Sequence, residues 1–435
     1  MIDTIKDCLN SNKKISNWVI KKETKNSKEL FFIKKKLDMN RAVSFTEYKV
    51  KIFVDFEENA EKYTGDVVFT IGASDSKEDI AQKTEFAVKQ ALYVKNKAYP
   101  LYDNHSEKYA KTKSESNIQK LIDNFDKFAE LINHDYSKDG IKSGINSLEL
   151  FVVDTQISVL SSLGTDVSYD TSNVTFELVT DNNEGKESVE IFVLVDVRDF
   201  DTEKIGKMIT EQLKETDQRS EAKKCPQMKK TKVILSNDAV QQLLKYYLDK
   251  STDRLIFMKM SNYEVGKKLQ SENANSKITL KAVPMLANAV HQQLVDPDGI
   301  ILGEKTLIQD GVVKNVMAGS KIGHYLGLPV TGYTDNFTVD AGDKSESELR
   351  TGEYLEIKTF SDFLTDNATG DFGGEFRLAI WYKDGVQTPV SGGSLSLNLN
   401  RIQDKMLFSK ELKERSYSKA PSIIVFEDVS VAGEQ

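Results

Sequence analysis

Four histidines and two cysteines are the side chains on which metal or nucleophile chemistry would depend in this sequence. A catalytic zinc ion needs three protein ligands, usually His, Asp, Glu or Cys, and an open position for water. No two histidines have the spacing of one helical face; they are His105, His134, His291 and His324. Between Cys225 and His291, and again after Gly392, there is neither His nor Cys. We therefore find no set of zinc ligands in the sequence.

Other chemistries have equally little support. The sequence contains no Gly-x-Ser-x-Gly elbow and no phosphate-binding P-loop. Carboxylates are plentiful, but a purely acidic site would favour Mg²⁺ or Ca²⁺, and no segment has the spaced ligands of an EF-hand loop. Cys225 stands beside Pro226 in a lysine-rich segment, where positive charge would lower a thiol pKa. We expect instead an exposed cysteine without a catalytic role.

The Gly-rich segment Thr369–Pro389 has the sequence TGDFGGEFRLAIWYKDGVQTP. Its Asp-Gly pair between two extended runs predicts a β-hairpin, whose exposed edge at Phe376–Tyr382 would suit pairing with an extended peptide. The glycines either allow close approach of a peptide backbone or only supply turn geometry. The candidate peptide-contact residues are Thr369, Gly370, Asp371, Phe372 and Gly373.

Composition limits the class of protein. The chain has 435 residues, 39% hydrophobic and 29% charged, which suits two or three domains with real cores. No apolar run reaches the roughly 20 residues of a membrane helix. The net charge of −8 argues against general affinity for nucleic acid, which needs a basic surface. Two cysteines and no recognisable signal peptide favour the reducing cytoplasm.

Periodicity assigns elements to the first half of the chain. Tyr48–Phe56 alternates apolar and polar residues, which predicts a half-buried strand with Val67–Ile71 as its hairpin partner. The capping box Ser76–Asp79 opens a helix. Further predictions are a helix over Asn117–Ile132, strands over Leu148–Val153, Ile157–Leu160, Val174–Val179 and Val189–Val197, and a helix over Thr202–Thr216.

The second half differs in composition and predicted secondary structure. Gly and Asp interrupt its short strands, and the one early helix is predicted at Asn237–Leu248. We predict an α/β N-terminal domain at residues 1–217, a charged linker at 218–231 and a C-terminal domain at 232–435. The predicted fold class is α+β, in which the C-terminal domain is β-rich, largely antiparallel and poor in helices.

Several segments occur in an order that is typical of one protein family: Tyr48–Phe56, Tyr99–Leu101, Ser161–Gly164, Asp296–Gly299, Leu307–Val313, Gly323–Gly332, Thr369–Phe372 and Ala420–Gly433. Together they resemble the TldD/PmbA family, bacterial proteins of a peptidase system that have also been linked to modulation of DNA gyrase. The similarity is loose over the first 200 residues and closer from Asp296 onward.

The resemblance implies one of two kinds of subunit. TldD-like subunits carry His-Glu-x-x-x-His on the first helix of the second domain and a cysteine near the C-terminus, which together hold a catalytic metal. PmbA-like (TldE-like) subunits lack these ligands and act as partners. Measured from Val233–Leu235, the motif would fall at Lys245, Tyr246 and Lys250 in this sequence.

The resemblance therefore predicts a pseudoenzyme of the PmbA-like kind, which pairs with a metal-bearing TldD-like subunit to process or degrade unstructured peptides. We expect no cofactor in this chain and zinc only in the partner. Expected partners are a second copy or a TldD-like subunit, in a dimer, and an extended or unfolded peptide, without membrane or direct nucleic-acid contact. Two alternatives stay open: a metallopeptidase with an unrecognised metal site, and a stand-alone peptide-binding protein.

Overall fold

The computed structural model describes residues 1–104, 114–185 and 187–434. The helices of the first half are α1 (Ile2–Ser11), α2 (Lys77–Ala91), α3 (Asn117–Asp123), α4 (Phe125–Asn133) and α5 (Thr202–Ser220), with a 3₁₀ turn at Tyr136–Asp139. Its strands are β1 (Asn17–Ile33), β2 (Lys36–Glu58), β3 (Glu61–Gly72), β4 (Asn96–Lys97), β5 (Gly144–Ser161), β6 (Asp166–Asn182) and β7 (Val189–Val197).

The second half is richer in short strands. Its helices are α6 (Asp238–Lys250), α7 (Asp253–Phe257), α8 (Ser320–Leu326), α9 (Glu346–Leu349) and α10 (Leu399–Ile402), with a 3₁₀ turn at Gln403–Lys405. Its strands are β8 (Lys223–Lys224), β9 (Met228–Leu235), β10 (Leu280–Ala282), β11 (Lys305–Gln309), β12 (Val312–Val313), β13 (Phe337–Val339), β14 (Tyr354–Phe360), β15 (Leu364–Thr365), β16 (Asp371–Lys383), β17 (Val386–Ser391), β18 (Gly393–Asn398), β19 (Leu407–Phe408), β20 (Leu412–Glu414), β21 (Ser418–Pro421) and β22 (Ile424–Ala432).

The N-terminal sheet is a seven-stranded antiparallel sheet with the order β4-β3-β2-β1-β5-β6-β7. Alternation along the strands places Val50, Ile52 and Val54 on one face, where they are buried under α1 and α2. Farther along the same face, residues of β5 and β6 are buried under α3, α4 and α5. One face of the sheet therefore carries all of these helices.

The start of the chain differs most from the sequence prediction, which assigned no strand before Tyr48. β1 and β2 pair from Asn17↔Phe53 to Ile33↔Lys36, with one shift of register between Phe31 and Phe32. The alternation there is hidden because Glu23 lies on the sheet face opposite the helices and forms ion pairs with lysines, namely Lys21, Lys25 and Lys49. Charged residues thus occupy strand positions where apolar residues would have signalled a strand.

Other predicted elements need smaller corrections. The helix predicted over Asn117–Ile132 is interrupted at Asn124, whose φ of −120° and ψ of 19° are not helical. The two strands predicted between Leu148 and Leu160 form the single strand β5. The capping box of α2 forms as predicted, since the Ser76 side chain accepts from the Asp79 amide and the Asp79 carboxylate accepts from the Ser76 amide.

The C-terminal part is built around a closed ring of strand pairings. Seven strands of a nine-stranded sheet run in the order β14-β9-β22-β18-β16-β17-β8, and β14 also pairs with β16. The other two strands are β15, which pairs with β16, and β19, which pairs with β22. The ring is therefore closed, because β14 pairs with β9, β9 with β22, β22 with β18, β18 with β16, and β16 with β14. Most of the pairs in the second half are antiparallel, and few long helices accompany them. The α+β class predicted from the sequence is confirmed.

The hairpin predicted at Lys383–Gly385 is also present. β16 pairs with β17 and β18 in one unbroken antiparallel register from Lys383↔Val386 to Asp371↔Asn398. Asp384 and Gly385 form the two-residue turn with φ of 51° and 77°. Positive φ at both positions is the requirement of a type I′ turn, which Asp-Gly satisfies.

Asn104 connects the two halves of the chain and is 1% exposed. Its Nδ2 donates to the Gly299 carbonyl (3.0 Å) and to Thr165 Oγ1 (3.1 Å), and its Oδ1 accepts from the Ile301 amide (3.2 Å). Thr165 Oγ1 donates to the same Gly299 carbonyl (2.8 Å). The Asp296–Gly299 turn of the C-terminal part is thereby anchored on the N-terminal sheet.

Charged groups complete this junction. Lys51 Nζ of β2 lies 2.6 Å from Asp298 Oδ1 and 3.1 Å from Asp66 Oδ2. Asp296 is 3% exposed, and its Oδ1 accepts from the amides of Asp298 (2.8 Å) and Ile300 (3.0 Å). Among the described residues, Asp296 Oδ2 has no hydrogen-bond partner. Burial, with Asp298 nearby, raises the pKa of Asp296 to about 7.

Candidate functional site

α6 is the helix on which the sequence places the three candidate motif positions. It follows β9, whose last residues, 233–235, are fully buried. Its apolar residues recur at helical spacing and join the large core of the C-terminal part, through Val240, Leu243, Leu244 and Tyr247. Burial of each such side chain contributes about 1.5–3 kcal/mol, which fixes the rotation of the helix about its axis.

Lys245 and Tyr246 lie near the C-terminal end of this helix. Lys245 Nζ forms an ion pair with Asp249 Oδ1 one turn later (2.5 Å) and lies 3.5 Å from Asp335 Oδ1. Tyr246 is 2% exposed, and burial raises the pKa of its hydroxyl, an effect that a hydrogen bond with Asn400 opposes. An ion pair and a buried phenol therefore occupy the first two candidate positions.

Lys250 occupies the third candidate position and is 6% exposed. Its ammonium group donates to the main-chain carbonyls of Met260 and Asn367, the latter at 3.0 Å. It also lies 5.6 Å from the centre of the Tyr246 ring. Burial, and then the positive charge of Lys267, lowers the pKa of Lys250. The end of α6 is thus filled by a buried cation that belongs to the chain itself.

The turn Asp366–Gly370 faces this end of α6. Asp366 Oδ1 accepts from the amides of Ala368 (2.6 Å) and Thr369 (2.9 Å), and the Asp366 carbonyl accepts from the Gly370 amide (2.8 Å). These backbone donors hold the pKa of the Asp366 carboxyl below its usual value. The turn is therefore closed by its own backbone and by one carboxylate.

Two asparagines hold the turn from the other side. Asn398 Nδ2, at the end of β18, donates to the Thr369 carbonyl (3.0 Å) and to Asp371 Oδ1 (2.6 Å). Asn400 Nδ2 donates to the same Thr369 carbonyl (2.9 Å). Because these side chains converge on one carbonyl, the Thr369 main chain has a fixed position.

The structure brings the two sets of candidate residues together. Asn367 Nδ2 donates to Asp249 Oδ2 (3.2 Å), while its carbonyl accepts from Lys250. Gly370 has a φ of +80°, and a Cβ atom there would lie 2.8 Å from Asn400 Nδ2 and 3.2 Å from the Tyr246 hydroxyl. The predicted motif positions and the predicted loop are therefore parts of one site.

Within the loop, the side chains have different exposure. Thr369 and Asp371 are exposed, whereas Phe372 is 3% exposed and packs against Phe426 with ring centres 5.5 Å apart. A Cβ atom at Gly373 would lie 1.9 Å from the Leu395 carbonyl oxygen, so strand pairing explains this glycine. Of the predicted contact residues, Thr369 and Asp371 are the ones that offer side chains to a ligand.

The exposed strand edge predicted at Phe376–Tyr382 is wrong. On one side this part of β16 pairs with β14, from Phe360↔Phe376 to Tyr354↔Tyr382. On the other side it pairs with β17 and with the start of β18. Closure of the ring leaves no free hydrogen-bonding edge there for an added strand.

Cys225 also differs from the prediction of an exposed cysteine, because it is 1% exposed. Burial raises the pKa of its thiol to about 11. A thiol with that pKa is protonated near neutral pH and is a poor nucleophile. Cys225 is therefore a packing residue of the C-terminal core.

The histidines are not brought together at this site. His134 Nε2 lies 2.6 Å from Asp139 Oδ2 in the N-terminal part, and His324 lies in the last turn of α8. The His291 carbonyl accepts from Asn336. His105 lies outside the described residues. In the described part of the chain, no group of three or more His, Cys, Asp or Glu side chains is arranged to hold a metal ion.

Residues 228–433 match the model of the PmbA/TldA metallopeptidase C-terminal domain. This range includes β9, α6, the Asp366–Gly370 turn and the whole ring of strands. The C-terminal part of the chain therefore carries a domain of the TldD/PmbA family.

Sequence identity to an individual relative is low. An uncharacterized protein of Methanocaldococcus jannaschii is 24% identical over 216 residues, which are 45% of this chain and 49% of that protein. The matched region thus spans about half the length of that relative.

Solved structures match the fold over almost the whole chain. A protein of Thermotoga maritima described as a proposed modulator of a DNA gyrase has a TM-score of 0.75 at 17% identity, covering 99% of this chain and 100% of its own. TldE from Thermococcus kodakarensis has a TM-score of 0.73 at 16% identity, with coverage of 99% and 100%. A proposed gyrase modulator of Bacteroides thetaiotaomicron has a TM-score of 0.76 at 16% identity, with coverage of 99% and 98%. At these identities the likeness establishes the fold.

The α6 residues of this TldD/PmbA-family domain do not fit a zinc ion. An ammonium group carries no lone pair for a metal while it is protonated, and it repels a dication. Lys250 Nζ, in addition, already donates to two carbonyls, and Lys245 Nζ is paired with Asp249. The phenol of Tyr246 is buried with a raised pKa, so it resists the deprotonation that ligation needs.

The residues that complete the site were not predicted. Asp249 follows Lys245 by four residues but lies one position beyond the helix predicted at Asn237–Leu248, so the i,i+4 ion pair would have followed from a slightly longer helix. Asn367, Asn398 and Asn400 gave no comparable signal, because their partners lie elsewhere in the chain. Their roles follow only from the tertiary structure.

Of the helices in the described residues, none is both long enough and apolar enough to cross a lipid bilayer.

Proposed function

We propose that this chain is a non-catalytic, PmbA-like (TldE-like) subunit of a TldD/PmbA-type peptidase. In this proposal a metal-bearing TldD-like subunit supplies the chemistry, and this chain supplies part of the surface that binds an unstructured peptide. The proposal rests on which side chains occupy the C-terminal end of α6. Two lysines and a buried tyrosine stand where the family resemblance places metal ligands, and each has partners within the chain.

The peptide-binding part of the proposal rests on Thr369 and Asp371. Both are exposed beside a turn whose backbone is held by Asn398 and Asn400. Fixed polar groups of this kind can hydrogen-bond an extended backbone without first losing conformational freedom. The substrate class proposed is therefore an extended or unfolded peptide.

The proposed assembly is a heterodimer with a TldD-like subunit in the cytoplasm, and a homodimer is its alternative. That one solved neighbour is named TldE agrees with this assignment. The gyrase descriptions of the other two neighbours concern those proteins. With a net charge of −8, this chain lacks the general basic surface that direct DNA contact favours, and no such contact is proposed.

The first test is the metal content of the purified chain after zinc loading and desalting, measured by mass spectrometry. We expect far less than one zinc per chain. About one zinc per chain would overturn the proposal and favour a metallopeptidase with its own metal site.

A second test uses peptidase activity on an unstructured peptide. We expect no cleavage by this chain alone, and cleavage by a mixture with a TldD-like subunit that exceeds the cleavage by that subunit alone. If the mixture behaves as the TldD-like subunit alone and the two proteins do not co-purify, the stand-alone peptide-binding protein becomes the better description.

A further inference from the structure

We propose that Lys250 is a positioning residue, whose ammonium group clamps the Asp366–Gly370 turn onto α6. The α6 side chains do not fit a metal site, but in this proposal they have a structural role. They hold the turn beside the exposed residues Thr369 and Asp371 through hydrogen bonds. The inference rests on the proposed function only in assigning peptide contact to those two residues.

The first observation is where the Lys250 ammonium group lies. It is on the last residue of α6, yet its donors reach carbonyls in two other segments, at Met260 after α7 and at Asn367 in the turn. One side chain therefore connects three segments that are distant in sequence. Such a contact restrains the turn relative to the helix, because moving either segment breaks a charge-assisted hydrogen bond.

The second observation is the kind of partner that Lys250 has. In the described residues, Lys250 forms no ion pair, although its side chain is 6% exposed, and the charge of Asp366 acts on it only from a longer distance. Burying an ammonium group without a direct ion-pair partner is costly unless its donors are satisfied. Carbonyl oxygens and the face of the Tyr246 ring provide that compensation. A positive charge held in this way is fixed in position.

The third observation is that the other two motif positions point to the same turn. Lys245 holds Asp249, and Asp249 in turn accepts from the Asn367 side chain. The hydroxyl of Tyr246 lies against Gly370, where a Cβ atom would be only 3.2 Å from it. All three residues therefore act on Asn367 or Gly370, directly or through one neighbour.

The consequence is that the turn is ordered by the chain itself. Asn367 is held by α6, Thr369 is held by Asn398 and Asn400, and Gly370 has no room for a side chain. A peptide that meets Thr369 and Asp371 would find their backbone already in place. Preorganisation of this kind reduces the entropic cost of binding.

The test is amide hydrogen exchange of the full chain, followed at Ala368, Thr369 and Gly370. In Lys250→Met, which keeps a long apolar side chain but has no donor, we expect exchange at these amides to become at least tenfold faster. Lys250→Arg, which retains a positive donor group, should restore much of the protection. Lys268→Met is the matched control, because Lys268 is exposed and pairs with Glu272, and it should leave the turn unchanged.

Unchanged exchange of the turn in folded Lys250→Met would overturn the inference. If that variant does not fold, Lys250→Gln serves in its place, since a neutral amide with fewer donors replaces the ammonium group that contacts Asn367. A smaller increase in exchange is expected there, and no increase would count against the clamp. Exchange is measured without peptide or metal, so this test of Lys250 gives a result that does not depend on whether the proposed function is correct.

Discussion

Two turns of this protein are held by side chains from other segments, and they are held in different ways. The Asp366–Gly370 turn receives a buried ammonium group, that of Lys250, and asparagine donors, with every partner in the C-terminal part. The Asp296–Gly299 turn receives Asn104 and Thr165 from the N-terminal part and retains a buried carboxylate oxygen that has no partner among the described residues. The first turn belongs to the candidate site, and the second joins the N-terminal and C-terminal parts of the chain.

The difference concerns how a buried charge is compensated. The ammonium group of Lys250 points at carbonyl oxygens, so its charge strengthens the contact that holds the turn. Asp296 accepts from two amides through one oxygen, while its other oxygen is buried and has no partner in the part of the chain that the structure describes, so its charge opposes the folded state. The junction between the N-terminal and C-terminal parts should therefore respond to pH near neutrality through Asp296, whose pKa is about 7.

The largest effect is expected on removing the amide that joins the domains. Asn104→Ala deletes hydrogen bonds to Gly299, Thr165 and Ile301 and leaves the Ile301 amide without its acceptor. We expect the free energy of unfolding to fall by about 2–4 kcal/mol, as is usual when buried partners are left unsatisfied. Urea unfolding measures it. Asn146→Ala is the control within the N-terminal part, because among the described residues the side-chain amide of Asn146 donates to Asp181 and Glu190 of that same part. A loss of equal size there would contradict the special role of the junction.

The next effect is a difference in pH dependence. The pKa of Asp296 is raised in the folded protein, so protonation stabilises the folded state, and this stabilisation is lost as pH rises towards about 7. Asp296→Asn cannot titrate. Relative to the natural protein, its free energy of unfolding should rise by about 2–3 kcal/mol between pH 5 and pH 8, at 1.36 kcal/mol per pKa unit.

Urea unfolding of both proteins at pH 5, 6, 7 and 8 measures this difference. The values at pH 5 are the internal reference, because Asp296 is largely protonated there. A difference that stays constant over the four pH values would show that Asp296 does not titrate in this range.

The smallest effect is expected in the site turn, from Gly370→Ala. The variant places a Cβ atom 2.8 Å from Asn400 Nδ2 at a positive φ, so we expect a loss of about 1–3 kcal/mol and weaker binding of an unstructured peptide. Gly385→Ala is the matched control, since Gly385 also has a positive φ, of 77°, but has no atom within 4 Å of its Cβ position. Equal losses in stability and equal peptide affinity in both variants would mean that the contact with Asn400 is unimportant.

Local signals predicted the parts of the fold that depend on neighbouring residues. The capping box of α2 and the Asp-Gly turn of the β16–β17 hairpin are short-range patterns, and both form as predicted. The bounds of α6 were close for the same reason, since Val240, Leu243 and Leu244 repeat at helical spacing.

The rest depends on contacts between distant residues. β1 was missed because its ion pairs with β2 replace an apolar pattern, and Cys225 was assigned to the surface because its lysine-rich flanks conceal a side chain that is buried between β8 and β9. For the site, the sequence supplied Lys245, Tyr246, Lys250 and the loop separately. That they meet through Asn367 and Gly370 could be seen only in the folded chain.

The closed ring of strands also constrains how the protein can be made. β22 (Ile424–Ala432) lies between β9 and β18, so residues translated late separate strands translated much earlier. During translation, the core beneath β9 and α6 therefore cannot be completed until β22 has been synthesised. During that interval their apolar surfaces are available to chaperones.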